Sequence, residues 1–137
     1  LLYQPTPDGW CGDEDTGQMS SWYVFSALGF YPVCPGTPEY VIGSPLFDRA
    51  TIALPNGRGF VIVASQNGPQ RPYIRGATLN GQPFNKTYLT HQEILNGGEL
   101  VFEMTSAPSK WGTAPESRPG SAMSALSLMS SQTGKPQ

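Results

Sequence analysis

The chain has 137 residues, a formal net charge of −2 and only 13% charged side chains, about half the quarter usual in globular domains. With 16 Gly, 14 Pro and 11% aromatic residues, it reads as a turn-rich globular chain; the aromatics speak against disorder, and the near-neutral charge against binding polyanions such as nucleic acid. The length suits one ordinary domain or part of a larger one. No run approaches the ~18 apolar residues of a membrane span, and neither end resembles a signal or transit peptide. Starting at Leu1 rather than Met, it is expected to be a fragment or a processed piece.

The first zone, residues 1–33, opens with a Pro/Gly/Asp-rich loop and then turns strongly apolar. Gln18 to Phe30 contains no Pro, has the length for three helical turns, and is closed by Gly29 and Pro32, residues that end helices. At about 100° per residue, Met19, Trp22, Tyr23 and Phe30 share one side, while Val24, Phe25 and Leu28 occupy much of the rest. A helix apolar on nearly all sides is expected to be buried on nearly all sides, with Trp22 in the core. So much cover is not available to one helix of so short a chain, so neighbours from outside it are expected.

The second zone, residues 34–112, changes period. It carries Asn56-Gly57, Asn67-Gly68, Asn80-Gly81 and Asn96-Gly97 at intervals of 11, 13 and 16 residues. Asn-Gly supplies the positive φ angles of tight hairpins, and such spacing between apolar runs predicts an antiparallel sheet or sandwich. Residues 50–54, 60–64, 73–79 and 100–104 are rich in β-branched or aromatic side chains, and about five or six strands are expected. A helical turn, His91 to Leu95, fits before Asn96-Gly97-Gly98. The third zone, residues 113–137, has six Ser among 25 residues and no strong period. A weak helix through Ala122 and Met129 is conceivable, but a frayed Ser-rich tail is the expectation.

Cys11 and Cys34 match neither a paired CxxC metal site nor a dense disulfide framework; they are one disulfide in an oxidising compartment, or else two buried thiols. Asn85-Lys86-Thr87 is an N-glycosylation sequon, relevant only in a secretory pathway. His91, the single histidine, has no second His or suitably spaced Cys as a metal partner and reads as a surface or capping residue. No Gly-x-Ser-x-Gly elbow is present, and Gly57-Arg58-Gly59 lacks the rest of a phosphate loop.

The densest cluster of charge is Asp13-Glu14-Asp15, at the mouth of the apolar helix. Asp15 with Gln18 three positions later forms a capping-box-like pattern, which leaves Asp13 and Glu14 unexplained. Adjacent acids repel unless a cation or a helix N-terminus lies close, and paired carboxylates there suit a general base or metal ligands. An EF-hand is excluded, because Gln18 and Val24 would stand where its loop needs Gly and Glu. Trp10, beside the acidic loop, is the candidate aromatic platform for a sugar ring.

The stretch from Pro7 to Val33, PDGWCGDEDTGQMSSWYVFSALGFYPV, closely resembles a C-terminal motif of glycoside hydrolase family 92, the calcium-dependent exo-acting α-mannosidases. Tyr40 to Phe47, Leu79 to Met104 and Trp111-Gly112 are similar to the closing β segment of the same family, so the resemblance runs over more than three quarters of the chain. It implies a secreted or periplasmic enzyme with an N-terminal β-sandwich, an (α/α)6 barrel and closing β structure. Such enzymes cleave α-mannosidic bonds, often α-1,2, with inversion, using a Ca²⁺ that contacts the terminal mannose. The fold implied for this chain is α+β: residues 1–33 end the barrel, residues 34–112 form a small antiparallel β unit, and residues 113–137 form a flexible tail.

By the same resemblance Asp15 falls on the general base, with Asp13 second, as an alternative base or as a partner orienting the water. Glu14 matches an acidic position to which no role is attached. The family often has Cys at the place of Thr16 and Asn at that of Asp13; neither change removes a group the reaction needs. The general acid and most calcium ligands are expected upstream of Leu1, so the chain alone is expected to be inactive. The rival readings are a non-catalytic carbohydrate-binding or interaction module and another (α/α)6 glycosidase.

Overall fold

The structure, a computed structural model, describes residues 4, 6–7, 9, 12–34 and 36–120. In chain order its elements are α1 (Gln18–Leu28), β1 (Phe30–Tyr31), β2 (Glu39–Ile42), β3 (Arg49–Ala53), β4 (Gly59–Val63), β5 (Tyr73–Leu79), β6 (Gln82–Pro83), β7 (Tyr88–Thr90), α2 (His91–Leu95), β8 (Gly98–Thr105) and a 3₁₀ turn at Pro115–Ser117. The architecture is α+β, with a three-stranded sheet ordered β1-β2-β7 and a five-stranded sheet ordered β3-β4-β8-β5-β6.

α1 ends where the sequence says it should. Gly29 adopts a left-handed φ of 93°, and its N–H donates to the carbonyls of Phe25 and Ser26, which satisfies groups that a helix end otherwise leaves unpaired. No side chain suits this position, since a Cβ would lie 2.9 Å from the Cβ of Pro45. The Gly29 carbonyl accepts from the Gly43 N–H and the Ala27 carbonyl from the Leu46 N–H, both at 2.9 Å. The 43–46 loop is thereby fastened to the end of the helix.

The larger sheet is mixed, contrary to the antiparallel expectation. β8 runs parallel to β4, with Phe60 opposite Gly98 and Val63 opposite Val101, and antiparallel to β5. The cause lies in the turns. Asn56-Gly57 joins β3 to β4 and Asn80-Gly81 joins β5 to β6, and both make hairpins. Asn67-Gly68 lies in a loop between β4 and β5, which do not pair, and Asn96-Gly97 ends α2. Among the described residues of 34–112 seven strands form rather than five or six, because β6 and β7 are too short to show a period, and a further short strand, β1, precedes them.

One face of each central strand makes the core. Phe60 and Ile62 of β4 and Leu100, Phe102 and Met104 of β8 are buried, and they join Phe30, Leu89 and Ile94 in one cluster shared by both sheets and α2. Each such side chain contributes roughly 1.5–3 kcal/mol of burial. From α1, Phe25 and Leu28 pack on this cluster. The opposite side of the helix is open: Trp22, Tyr23 and Val24 are 41%, 51% and 55% exposed. Trp22 is thus outside the core of this chain, and no described element packs on that side, where neighbours from outside the chain are expected.

α2 is short and depends on its caps. Thr90 Oγ1 accepts from the Glu93 N–H at 3.2 Å and Glu93 Oε2 accepts from the Thr90 N–H at 2.8 Å, the two halves of a capping box. At the other end Asn56 Nδ2 and Arg58 Nη1, from the β3–β4 hairpin, donate to the Leu95 and Asn96 carbonyls. Lys86 Nζ lies 2.6 Å from Glu93 Oε1 and over the rings of Phe84 and Tyr88. Burial pushes the Glu93 carboxyl upward, but the hydrogen bonds from Lys86 and Thr90 outweigh it and hold the group below its ordinary value.

Residues 113–118, expected to fray, are docked: Ser117 is buried, and its carbonyl accepts from both the N–H and the Oγ1 of Thr87. The suggested helix at 122–129 and the pairing of Cys11 lie outside the described residues. Asn85 of the sequon is exposed, between β6 and β7.

Two outcomes follow. Gly29→Ala is expected to lose more than the roughly 1–2 kcal/mol of left-handed strain alone, because Pro45 blocks the methyl group; chemical denaturation reads this directly. Glu93→Gln is expected to cost about 1 kcal/mol at neutral pH. A depressed carboxyl stabilises above its unfolded value, near 4.3, and that stability disappears as pH falls through the lowered folded value. The gap between wild type and Glu93→Gln should therefore close below about pH 4; a gap that widens with acid contradicts the assignment.

Candidate active site

The acidic loop wraps the N-terminus of α1 and satisfies its first N–H groups one by one. The Gln18 N–H donates to the Asp15 carbonyl and the Met19 N–H to the Glu14 carbonyl, both at 3.2 Å. The Ser20 N–H donates to Glu14 Oε1 at 3.0 Å, and the Ser21 N–H begins the helical ladder at the Gly17 carbonyl. The anticipated Asp15–Gln18 capping box is not made. Gly17 is the N-cap and contributes no side chain, so Gln18 falls at the first helical position instead of the third. The capping oxygen comes from Glu14, further back along the chain.

This is possible because the backbone turns left-handed for three residues in succession, with φ of 52° at Asp15, 57° at Thr16 and 92° at Gly17. Outside glycine such a conformation costs about 1–2 kcal/mol per residue, and it persists where the surroundings hold it. The turn sorts the three acids. Glu14 is half-buried against the helix, while Asp13 and Asp15 on either side of it are exposed to solvent. The second Glu14 oxygen, Oε2, is buried and has no hydrogen-bond partner among the described residues.

Two exposed carboxylates on a braced turn can accept protons from water or hydroxyl groups. They do not make a metal site alone: among the described residues no group of three His, Cys, Asp or Glu could hold a metal ion. Trp10 lies outside the described residues. His91 is exposed; its Nδ1 lies 3.0 Å from the Tyr40 hydroxyl, and its ring stacks on that of Tyr40. Trp111 donates from Nε1 to the Phe84 carbonyl and meets Phe102 edge-on, which is a packing role. The residue that sequence reasoning left without a role is Glu14. Its only sequence signal is an acid just before Asp-Thr-Gly, residues that tolerate or supply a sharp turn.

Residues 1–106 match the model of the glycosyl hydrolase family 92 catalytic domain. The chain belongs to this family. A curated relative, an uncharacterized secreted glycosidase of Arthroderma benhamiae, is 33% identical over 122 residues, which is 87% of this chain and 16% of the relative. Among solved structures, the family GH92 inverting mannosidase BT2199 of Bacteroides thetaiotaomicron is 58% identical, with a TM-score of 0.80 over 88% of this chain. The GH92 α-mannosidase BT3965 of the same organism, in complex with mannoimidazole, is 38% identical with a TM-score of 0.81 over 88%. The chain spans 16% of the length of each of these structures. No helix among the described residues is long and apolar enough to cross a membrane.

The left-handed turn makes an unusual stability forecast. Thr16→Gly, normally a loss through backbone entropy, is expected to be neutral or to stabilise by up to about 1 kcal/mol, since Gly accepts positive φ freely. A marked fall in melting temperature for Thr16→Gly would count against the turn.

Proposed function

We propose that this chain is the C-terminal part of an inverting exo-α-mannosidase that removes terminal mannose from glycans, with α-1,2 linkages as the preferred substrate. The observation that carries the reading is the exposed Asp13/Asp15 pair on a braced turn, in a family member 58% identical to a structure named as an inverting mannosidase. In this reading α1 is the last helix of an (α/α)6 barrel, and its open Trp22–Val24 side packs on barrel helices outside the chain. Secretion or a periplasmic location belongs to the same proposal, consistent with the name of the fungal relative. So does Ca²⁺ dependence, with most of the ion's ligands supplied by other segments of the parent protein.

Asp15 acts as general base. Its carboxylate takes a proton from a water whose oxygen bonds to the anomeric carbon on the face opposite the leaving group. The bond from that carbon to the glycosidic oxygen breaks, and an acid supplied by another segment protonates the departing oxygen. Acid and base in inverting glycosidases stand roughly 6.5–9.5 Å apart to admit the water. Asp13 orients that water or substitutes as base. Such a base must keep its position through the reaction, and a short turn sewn to a helix is suited to this.

In the complete enzyme Asp15→Asn is expected to lower kcat/KM by about 10²–10⁴-fold, and Asp13→Asn by less. Near-normal turnover of Asp15→Asn on an aryl α-mannoside would overturn the base assignment. The 137-residue chain by itself is expected to show no hydrolysis; measurable mannosidase activity from it would overturn its place as one part of the catalytic unit.

A further inference from the structure

We infer that Glu14 is the positioning residue of the general base: its carboxylate ties the left-handed Asp15–Thr16–Gly17 turn to α1 and so fixes where the Asp15 carboxylate stands. This rests on the reading of Asp15 as base. Residue 14 is the point at which the loop is fastened twice, through its carbonyl to the Met19 N–H and through Oε1 to the Ser20 N–H. Between that double attachment and the helix lie only the three left-handed residues, two of which are not glycine.

A turn of this kind relaxes toward ordinary φ values once its restraints are removed. Asp15 moves with the turn, because among the described residues its carbonyl is held by a single 3.2 Å bond from the Gln18 N–H. The arrangement also carries a cost, since Oε2 is buried without a partner among the described residues. A buried carboxylate oxygen in that state is unfavourable, and the bond that Oε1 accepts from the Ser20 N–H is set against that cost. Glu14 is half-buried, with Oε1 on the Ser20 N–H, while Asp13 and Asp15 face solvent.

The test uses the complete enzyme and an activated aryl α-mannoside. Glu14→Ala is expected to lower kcat about 10- to 100-fold with KM nearly unchanged, because a base misplaced by about 1 Å weakens the transition state and not substrate binding. Glu14→Gln, whose amide oxygen still accepts from the Ser20 N–H, is expected to recover to within about threefold of wild type. Azide provides the readout that a structural role would fail. It attacks the anomeric carbon without losing a proton, so it needs no base; the carbon–nitrogen bond forms as the bond to the leaving group breaks, giving the inverted mannosyl azide.

Azide should therefore restore turnover to Asp15→Ala, and adding Glu14→Ala to that background should change the azide-supported rate by less than about twofold. Wild-type kcat in Glu14→Ala, or Glu14→Gln as impaired as Glu14→Ala, overturns the inference. So does a further loss of the azide-supported rate in the double variant. Full turnover of Asp15→Ala without azide instead overturns the base assignment, and with it any base for Glu14 to position. The kcat comparison of the two Glu14 variants decides the matter even if azide is not accepted.

Discussion

Phe25 is the contact through which the helix and the sheets become one body. Its ring stacks on Tyr40 at 6.1 Å and meets Phe30 and Tyr31 edge-on, joining α1 to β1 and β2. Tyr40 passes the contact on to His91 at the head of α2. Aromatic pairs of this kind add about 0.5–1.5 kcal/mol each beyond the area they bury. The helix axis is fixed by this side chain at one point and by the close approach of Gly29 to Pro45 at another. Among the described residues the acidic loop has no such anchor in the sheets; its bonds to an element run to α1, so its direction is inherited from the helix.

On the proposed reading, three consecutive acids divide the labour on this loop. A carboxylate that holds a backbone N–H is committed, and a carboxylate that must accept a proton has to stay uncommitted. Here the two kinds stand in adjacent positions, and the backbone turns left-handed directly after Glu14, at Asp15, Thr16 and Gly17. Asp and Gly visit that conformation readily, Thr does not, and Thr16 is thus the residue on which the turn imposes the greatest strain.

Much of the fold was legible because it follows from local chemistry. Gly29 stops α1, and His91 to Leu95 is helical, opened by a capping box of Thr90 and Glu93. The same rule misled at Asp15 and Gln18, because the spacing is right only if the intervening backbone is right-handed. Asn-Gly marks positive φ faithfully but not what pairs across it: Asn80-Gly81 closes a hairpin, whereas Asn96-Gly97 ends a helix. Parallel pairing of β4 with β8 is a long-range outcome that no local signal encodes. The acids were visible as a cluster, and the roles proposed for them rest on family resemblance. The commitment of Glu14 to the helix was invisible, since it depends on the handedness of the residues after it.

The position of β8 in the larger sheet has a consequence for how the chain acquires its structure during synthesis. β8 is the strand that joins β4 to β5, and it is also the last strand in the order of translation among the described residues. Until residues 98–105 leave the ribosome, β3–β4 and β5–β6 are two separate hairpins, each with an unpaired edge and an uncovered apolar face. Isolated two-stranded ribbons are marginal in water, and unpaired edges invite association. The β unit is therefore committed to late closure, and a nascent chain stalled before Gly98 is the form most exposed to aggregation and to chaperone capture.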